Sequence, residues 1–240
     1  MENNLTDRHF WEEYWKNYQY TKIPKHVFFE QAIPQMPQKA TAIEIGGFPG
    51  SMSIFFCKNY GFDVSLLDFY IDENIINNLE KHNGLSPNTI HCIEHDFFNY
   101  HSDLKYNLVY SIGFIEHFED TKDVIYRHID LLADNGEILI ILPNLLGLNG
   151  WVQKHFDRHN FDAHNLKSMD MAFLNKIMSQ LPVRNVFIDY IGKPMVWLEP
   201  NASRNSRTKR YFVKALSYLI KLIPIKGKFL SPYIIIRAKK

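Results

Sequence analysis

The chain has 240 residues, 46% of them apolar and 15% aromatic, enough for one α/β domain with a full core and residues left over for a lid or an insertion. No run of 18 apolar residues occurs and the opening MENNLTDRHF lacks an apolar centre, so neither a membrane-spanning helix nor a signal peptide is expected. Net charge is +1, but residues 201–240 hold 11 Lys or Arg and no acid, leaving 16 basic against 26 acidic side chains in the rest, an asymmetry that points to an anionic partner or surface near the end of the chain.

In chain order, Asp7 is placed to cap a helix through Phe10, Tyr14 and Trp15. With Trp11 these aromatics make residues 1–40 a candidate helical lid. A second short helix is predicted over His26–Ile33, stopped by Pro34 and Pro37. From residue 41 strands and helices alternate. Strands are predicted over Thr41–Ile45, Val64–Leu67, Thr89–Ile93, Asn107–Ser111, Glu137–Leu142, Val183–Tyr190 and Tyr233–Arg237. Helices are predicted over Ser51–Tyr60, with Gly61 as a stop, over Glu73–His82, and over Asp123–Leu132, closed by Asn135-Gly136. Alternation of this kind gives βαβ units and a mostly parallel sheet. The run ILIIL within 138–142 reads as a strand buried on both faces. The two cysteines, Cys57 and Cys92, have no metal-ligand spacing and fit a reducing cytoplasm.

In such a sheet, ligands bind outside the carboxyl ends of the strands. The first of these ends reads Glu44-Ile45-Gly46-Gly47-Phe48-Pro49-Gly50. Its glycines let a ligand approach bare backbone, and the helix that follows offers unpaired N–H groups. That much suits several nucleotide cofactors, a nicotinamide dinucleotide among them. Glu44 argues against a phosphate at this turn and for the cationic end of an amino-acid-bearing cofactor. Asp68, followed by Phe69, ends the second strand and can accept hydrogen bonds from ribose hydroxyls. Asp96 follows the third strand and can accept from an adenine amino group, with Phe97 against the ring.

These residues resemble the class I S-adenosylmethionine-dependent methyltransferases across roughly residues 40–143. Residues 44–50 are similar to the family's first motif, with Phe48 in place of the middle glycine. Asp68 matches its ribose-binding acid and Asp96 its adenine-side acid. The stretch from Tyr106 through Ser111, Ile112, Gly113, Phe114, Ile115 and Glu116 to Phe118 resembles the fourth-strand motif. The resemblance implies a Rossmann-like seven-stranded sheet with helices on both faces, and S-adenosyl-L-methionine as cofactor. Residues 41–240 would form the methyltransferase domain, interrupted by a basic helical insertion at about 191–231 before the last strand.

Methyl transfer needs an oriented nucleophile and, where required, a base. His117 after the fourth strand, and His155 and His159 in the aromatic segment 143–164, are the candidate bases. The two last stand four apart and would share one helix face. His164, Asp157 and Asp162 lie near them, but the spacing lacks a metal-ligand signature, and no metal is expected. In the insertion Phe212, Leu216, Leu219 and Ile223 fall at helical spacing beside Arg210, Lys214 and Lys221. Residues 207–223 are therefore expected to lie on an anionic membrane surface, or to pack on the domain or on a twin subunit. No nucleic-acid-reading module is visible. The expected acceptor is an oxygen or nitrogen of a small molecule, a sugar or a lipid-linked intermediate, in the cytoplasm or at the inner membrane face. The other readings of this fold are a nicotinamide-dependent dehydrogenase and a non-catalytic cofactor-binding or interaction protein.

Overall fold

Residues 12, 13, 15, 16, 18–198 and 207–240 are described by a computed structural model. Its seven strands are β1 (Thr41–Ile45), β2 (Asp63–Asp68), β3 (His91–Glu94), β4 (Tyr106–Ile112), β5 (Leu132–Pro143), β6 (Arg184–Ile191) and β7 (Tyr233–Lys239). They form one sheet in the order β3-β2-β1-β4-β5-β7-β6. Pairings among β1 to β5 are parallel, whereas β7 runs antiparallel to both β5 and β6. Strand order reverses between β1 and β4, so the ligand-binding crevice belongs at their carboxyl ends.

The sequence period explains the two faces. Ile43 and Ile45 of β1, Ile138, Ile140 and Leu142 of β5, and Ile234 and Ile236 of β7 enter one core layer. Ala42, Leu139, Ile141 and Ile235, the alternate positions, enter the opposite layer. Residues 138–142 are buried on both faces, as their unbroken apolar run requires, and each of these side chains contributes about 1.5–3 kcal/mol. Helices α1 (Ser51–Tyr60), α2 (Glu73–His82) and α3 (Thr121–Asp130) cover the sheet. Gly61 ends α1 at φ +67°, while Asp72 and Asp120 cap the starts of α2 and α3 with side-chain hydrogen bonds.

Three sequence expectations need correction. Of the helix over His26–Ile33 only a 3-10 turn, Glu30–Ala32, forms; buried Phe29 and Ile33 tie the segment to the sheet instead. Strand β3 begins at His91 rather than Thr89, because the Ile90 N–H is taken by buried Glu80 at 2.8 Å. Helix α3 ends at Asp130, and Asn135-Gly136 lie inside β5. There Asn135 takes φ +63°, and a Cβ on Gly136 would stand 2.9 Å from two backbone carbonyls. The segment 143–164 is largely helical, with α4 (Leu148–Phe156) and α5 (Arg158–Asp162) followed by α6 (Met171–Met178).

The insertion carries α7 (Arg207–Ile220) and is fastened over the carboxyl edge. Asn144, just after β5, donates from Nδ2 to the carbonyls of Lys228 and Ser231, each at 2.8 Å, and Leu148 N–H donates to Phe229. Of the proposed lid, Asp7, Phe10, Trp11 and Tyr14 lie outside the described residues. Trp15 packs edge-on against Phe48 of the first turn, ring centroids 5.5 Å apart. No helix among the described residues is long and apolar enough to cross a membrane.

Candidate active site

The turn after β1 is built on two left-handed glycines, Gly46 at φ +64° and Gly50 at φ +90°; the Gly50 N–H donates to the Gly47 carbonyl at 2.7 Å. Gly47 is required for space rather than for its dihedrals: a Cβ there would stand 2.1 Å from Glu44 Cδ. The Glu44 carboxylate thus lies beneath the turn. It accepts from Ser53 Oγ at 2.5 Å and from Tyr110 OH at 3.3 Å, and it is buried. Burial pushes Glu44 up to about 7. Glu44 therefore supports the turn from below, under Gly47 and bonded to Ser53.

Asp68, Phe69, Asp96 and Phe97 do come together with Gly46 around one small cavity at the ends of β1, β2 and β3. Asp68 accepts from Phe48 N–H at 2.9 Å through Oδ2 and from Tyr70 N–H at 3.3 Å through Oδ1. Burial raises Asp68 to about 6 against those hydrogen bonds. Asp96 folds back on its own loop, accepting from Phe98 N–H and Asn99 Nδ2. Phe97 is largely core, edge-on to Phe114 and to His128. The bare Gly46 Cα and the two strand-end acids fit a nucleoside with an amino-acid tail. One group stands in its way: the Phe114 ring, whose Cδ2 would be 2.1 Å from a Cβ on Gly46. The cavity is about 40 Å³, against roughly 300 Å³ or more for an ordinary ligand pocket.

At the end of β4, Ser111 is buried and bonded to His128 Nε2 at 3.1 Å. Ile112 packs into the core layer that holds Phe55 and Tyr110. Gly113 takes φ +71° and turns the chain toward a 3-10 turn, Ile115–His117. That turn brings Glu116 and His117 up to His164 from the segment after β5. One ligand-type atom of each lies within 4.8 Å of the others. The His117 and His164 rings are 4.9 Å apart. Asn165 fixes this meeting: its N–H donates to the Glu116 carbonyl at 2.7 Å and its Nδ2 to the Phe118 carbonyl at 2.8 Å. Burial pushes Glu116 up to about 8, and burial with the His164 ring holds His117 down at about 4.

His155 and His159 do not join this group. The helix breaks between them at Asp157 (φ −144°, ψ 62°), so they share no face, and both are exposed. His155 donates from Nδ1 to the Trp151 carbonyl of its own helix at 2.7 Å. The structure separates the two histidines that sequence spacing paired, and Glu116 and His164, 48 positions apart, carry no local signal of their meeting.

A parallel sheet with an antiparallel β7 and a glycine-turn crevice flanked by strand-end acids defines the S-adenosylmethionine-dependent methyltransferase class. A methyltransferase domain model matches residues 6–181, and the chain belongs to that family. No curated protein matches the sequence. Among solved structures, the chain is similar to phosphoethanolamine N-methyltransferase 2 of Haemonchus contortus, in complex with phosphomonomethylethanolamine and S-adenosylhomocysteine. Identity is 13% and the TM-score 0.61, over 88% of this chain and 51% of that one, so this chain spans about half the length of that enzyme. It is also similar to an S-adenosylmethionine-dependent methyltransferase of Archaeoglobus fulgidus (19% identity, TM-score 0.56, 88% and 91% covered). A third is coclaurine N-methyltransferase bound to N-methylheliamine and S-adenosylhomocysteine (11%, 0.56, 89% and 70%). At these identities the likeness concerns the fold.

Proposed function

We propose that the chain transfers a methyl group from S-adenosylmethionine to an oxygen or nitrogen of a small molecule, sugar or lipid-linked acceptor. The observation that carries this reading is the crevice at the switch point, where Gly46, Asp68 and Asp96 meet beneath the Phe114 ring. The cofactor, when bound, supplies an electrophilic methyl on a sulfonium. The chain's own contribution is placement. Asp68, held by two backbone N–H groups, keeps lone pairs for ribose hydroxyls. Asp96 and Phe69 border the base side of the same crevice.

The acceptor belongs on the β4–β5 side. Phe114 and Phe118 border the crevice, and Glu116 and His117 stand between them in the chain. Helices α4 and α5 and the fastened insertion overhang this edge and would exclude water from the sulfonium. A lipid-linked acceptor is favoured by α7, whose outward side exposes Tyr218 and Leu219, with Leu222 exposed in the turn that follows.

The test is isothermal titration with S-adenosylmethionine and S-adenosylhomocysteine, followed by labelled-methyl transfer to an acceptor panel. Micromolar binding that Asp68→Ala weakens at least about tenfold supports the reading. No binding to the wild type, or equal binding to the variant, rejects it.

A further inference from the structure

Glu116 is an expensive residue to bury. It is 1% exposed, and its Oε2 has no hydrogen-bond partner among the described residues. A buried carboxylate without a compensating group is strongly disfavoured as an anion. The groups facing it are two imidazoles. His164 Nδ1 is bonded to the Asn160 carbonyl at 2.6 Å, so that nitrogen carries the proton and Nε2 keeps its lone pair. His117 likewise donates to the Ala163 carbonyl. Histidines anchored through one nitrogen to a backbone carbonyl are oriented as metal ligands are. Burial holds the His164 imidazole below its ordinary value, opposed by its bond to the Asn160 carbonyl and by the nearby carboxylate of Asp157, whose Oδ2 also has no partner among the described residues.

We propose that Glu116, His117 and His164 bind a divalent transition-metal ion of the zinc type, with a coordination position left open toward the acceptor side of the crevice. Two imidazoles and one carboxylate form a ligand set that such ions accept with a vacant fourth site. Ligand atoms on a tetrahedral ion stand roughly 3.4 Å apart, so the present spread of up to 4.8 Å must contract by about 1.4 Å at most. The scaffold allows this, because Asn165 holds the two segments together while His164 sits in a half-buried loop. The ion would neutralise Glu116. In the open position it would take an acceptor oxygen and make its hydroxyl more acidic, the proton passing to solvent. That last role rests on the methyltransferase reading; binding of the ion does not.

The test is titration of the chelator-treated full chain with Co²⁺, read by ligand-field absorption, with S-adenosylhomocysteine affinity measured on the same samples. One equivalent should bind with intense visible bands. Glu116→Gln and His164→Ala should each weaken it at least about tenfold, while His155→Ala/His159→Ala leaves it unchanged. The double variant guards against adventitious capture, since the chain has 11 histidines. Thermal melts in metal-free buffer establish that each variant folds. If Glu116→Gln does not, His164→Ala decides, its side chain being half-buried in a loop. Absence of a one-equivalent site, or binding unmoved by His164→Ala, overturns the metal proposal. Unchanged S-adenosylhomocysteine binding in those samples leaves the methyltransferase reading standing.

Discussion

Ser53 donates a 2.5 Å hydrogen bond to Glu44 inside the core, and Tyr110 points its hydroxyl at the same carboxylate oxygen. The pair holds the floor of the glycine turn, since Gly47 rests directly on the Glu44 side chain. With burial raising Glu44 from its ordinary 4.5 to about 7, the folded state binds its proton more tightly than the unfolded chain. Stability from this group is therefore complete below pH 4.5 and is lost as pH rises through 7. The loss is ~3 kcal/mol as an upper bound. Urea midpoints at a series of pH values should fall for the wild type across this window, and less steeply for Glu44→Gln. Parallel profiles would show that Glu44 is ionised in the fold.

Ser111 and His128 form a second buried pair with an assignable proton. His128 Nδ1 is 2.8 Å from the Val124 carbonyl and must donate, so Nε2 must accept from Ser111 Oγ. Burial holds His128 down at about 4, so it is neutral, and its contribution is present above pH 6.5 and lost as pH falls toward 4. Ser111→Ala leaves Nε2 buried with no donor and should cost about 1–3 kcal/mol. Chemical denaturation at pH 7.5 measures this; a change below about 0.5 kcal/mol would mean that the bond contributes nothing.

The sheet was legible because its strands are apolar runs of the right length, and because Gly46, Gly50 and Asp68 sit at strand ends where chemistry is expected. What local sequence does not encode is which distant group satisfies a backbone atom. Glu80 takes the Ile90 N–H and shortens β3. Asn165 reaches back to Glu116 and Phe118 and so selects His164, not His155 or His159, as the neighbour of His117. Glu44 was read from its charge, yet its surroundings on the buried side of β1 decide its role.

Phe114 covers Gly46 where the cofactor's backbone contact is expected. Entry of S-adenosylhomocysteine thus requires the ring to leave, which separates it from its packing on Phe97 and Phe118. Phe114→Ala should raise the association rate in stopped-flow binding several-fold. Gly46→Ala, at φ +64° and against the same ring, should destabilise the fold by about 1 kcal/mol or more and abolish binding. An unchanged association rate in Phe114→Ala would show that the ring does not obstruct the site.

Helix α7 has two apolar sides, which its sequence alone did not separate. Val213 and Ile220 face inward onto Val152 and Val196, with Leu216 partly buried beside them. Phe212 and Leu219, assigned by spacing to the same stripe as Leu216, are instead exposed with Tyr211, Tyr218 and Leu222. Val152 and Val196, outside the helix, decide which stripe packs. The outward side exposes Leu219 at 67%, Leu222 in the turn just after the helix is exposed at 82%, and Lys214 on the helix and Lys221 just past its end are exposed too. Aromatics and leucines beside cations match an anionic bilayer surface, where each cation contributes about 1 kcal/mol. The full chain should co-sediment with phosphatidylglycerol-containing vesicles and should release as salt rises. Leu219→Glu/Leu222→Glu should abolish this while changing stability by less than about 0.5 kcal/mol per exposed site. Failure to sediment, combined with a concentration-dependent mass that the same variant reduces to that of one chain, would assign this side to a second copy instead of a membrane.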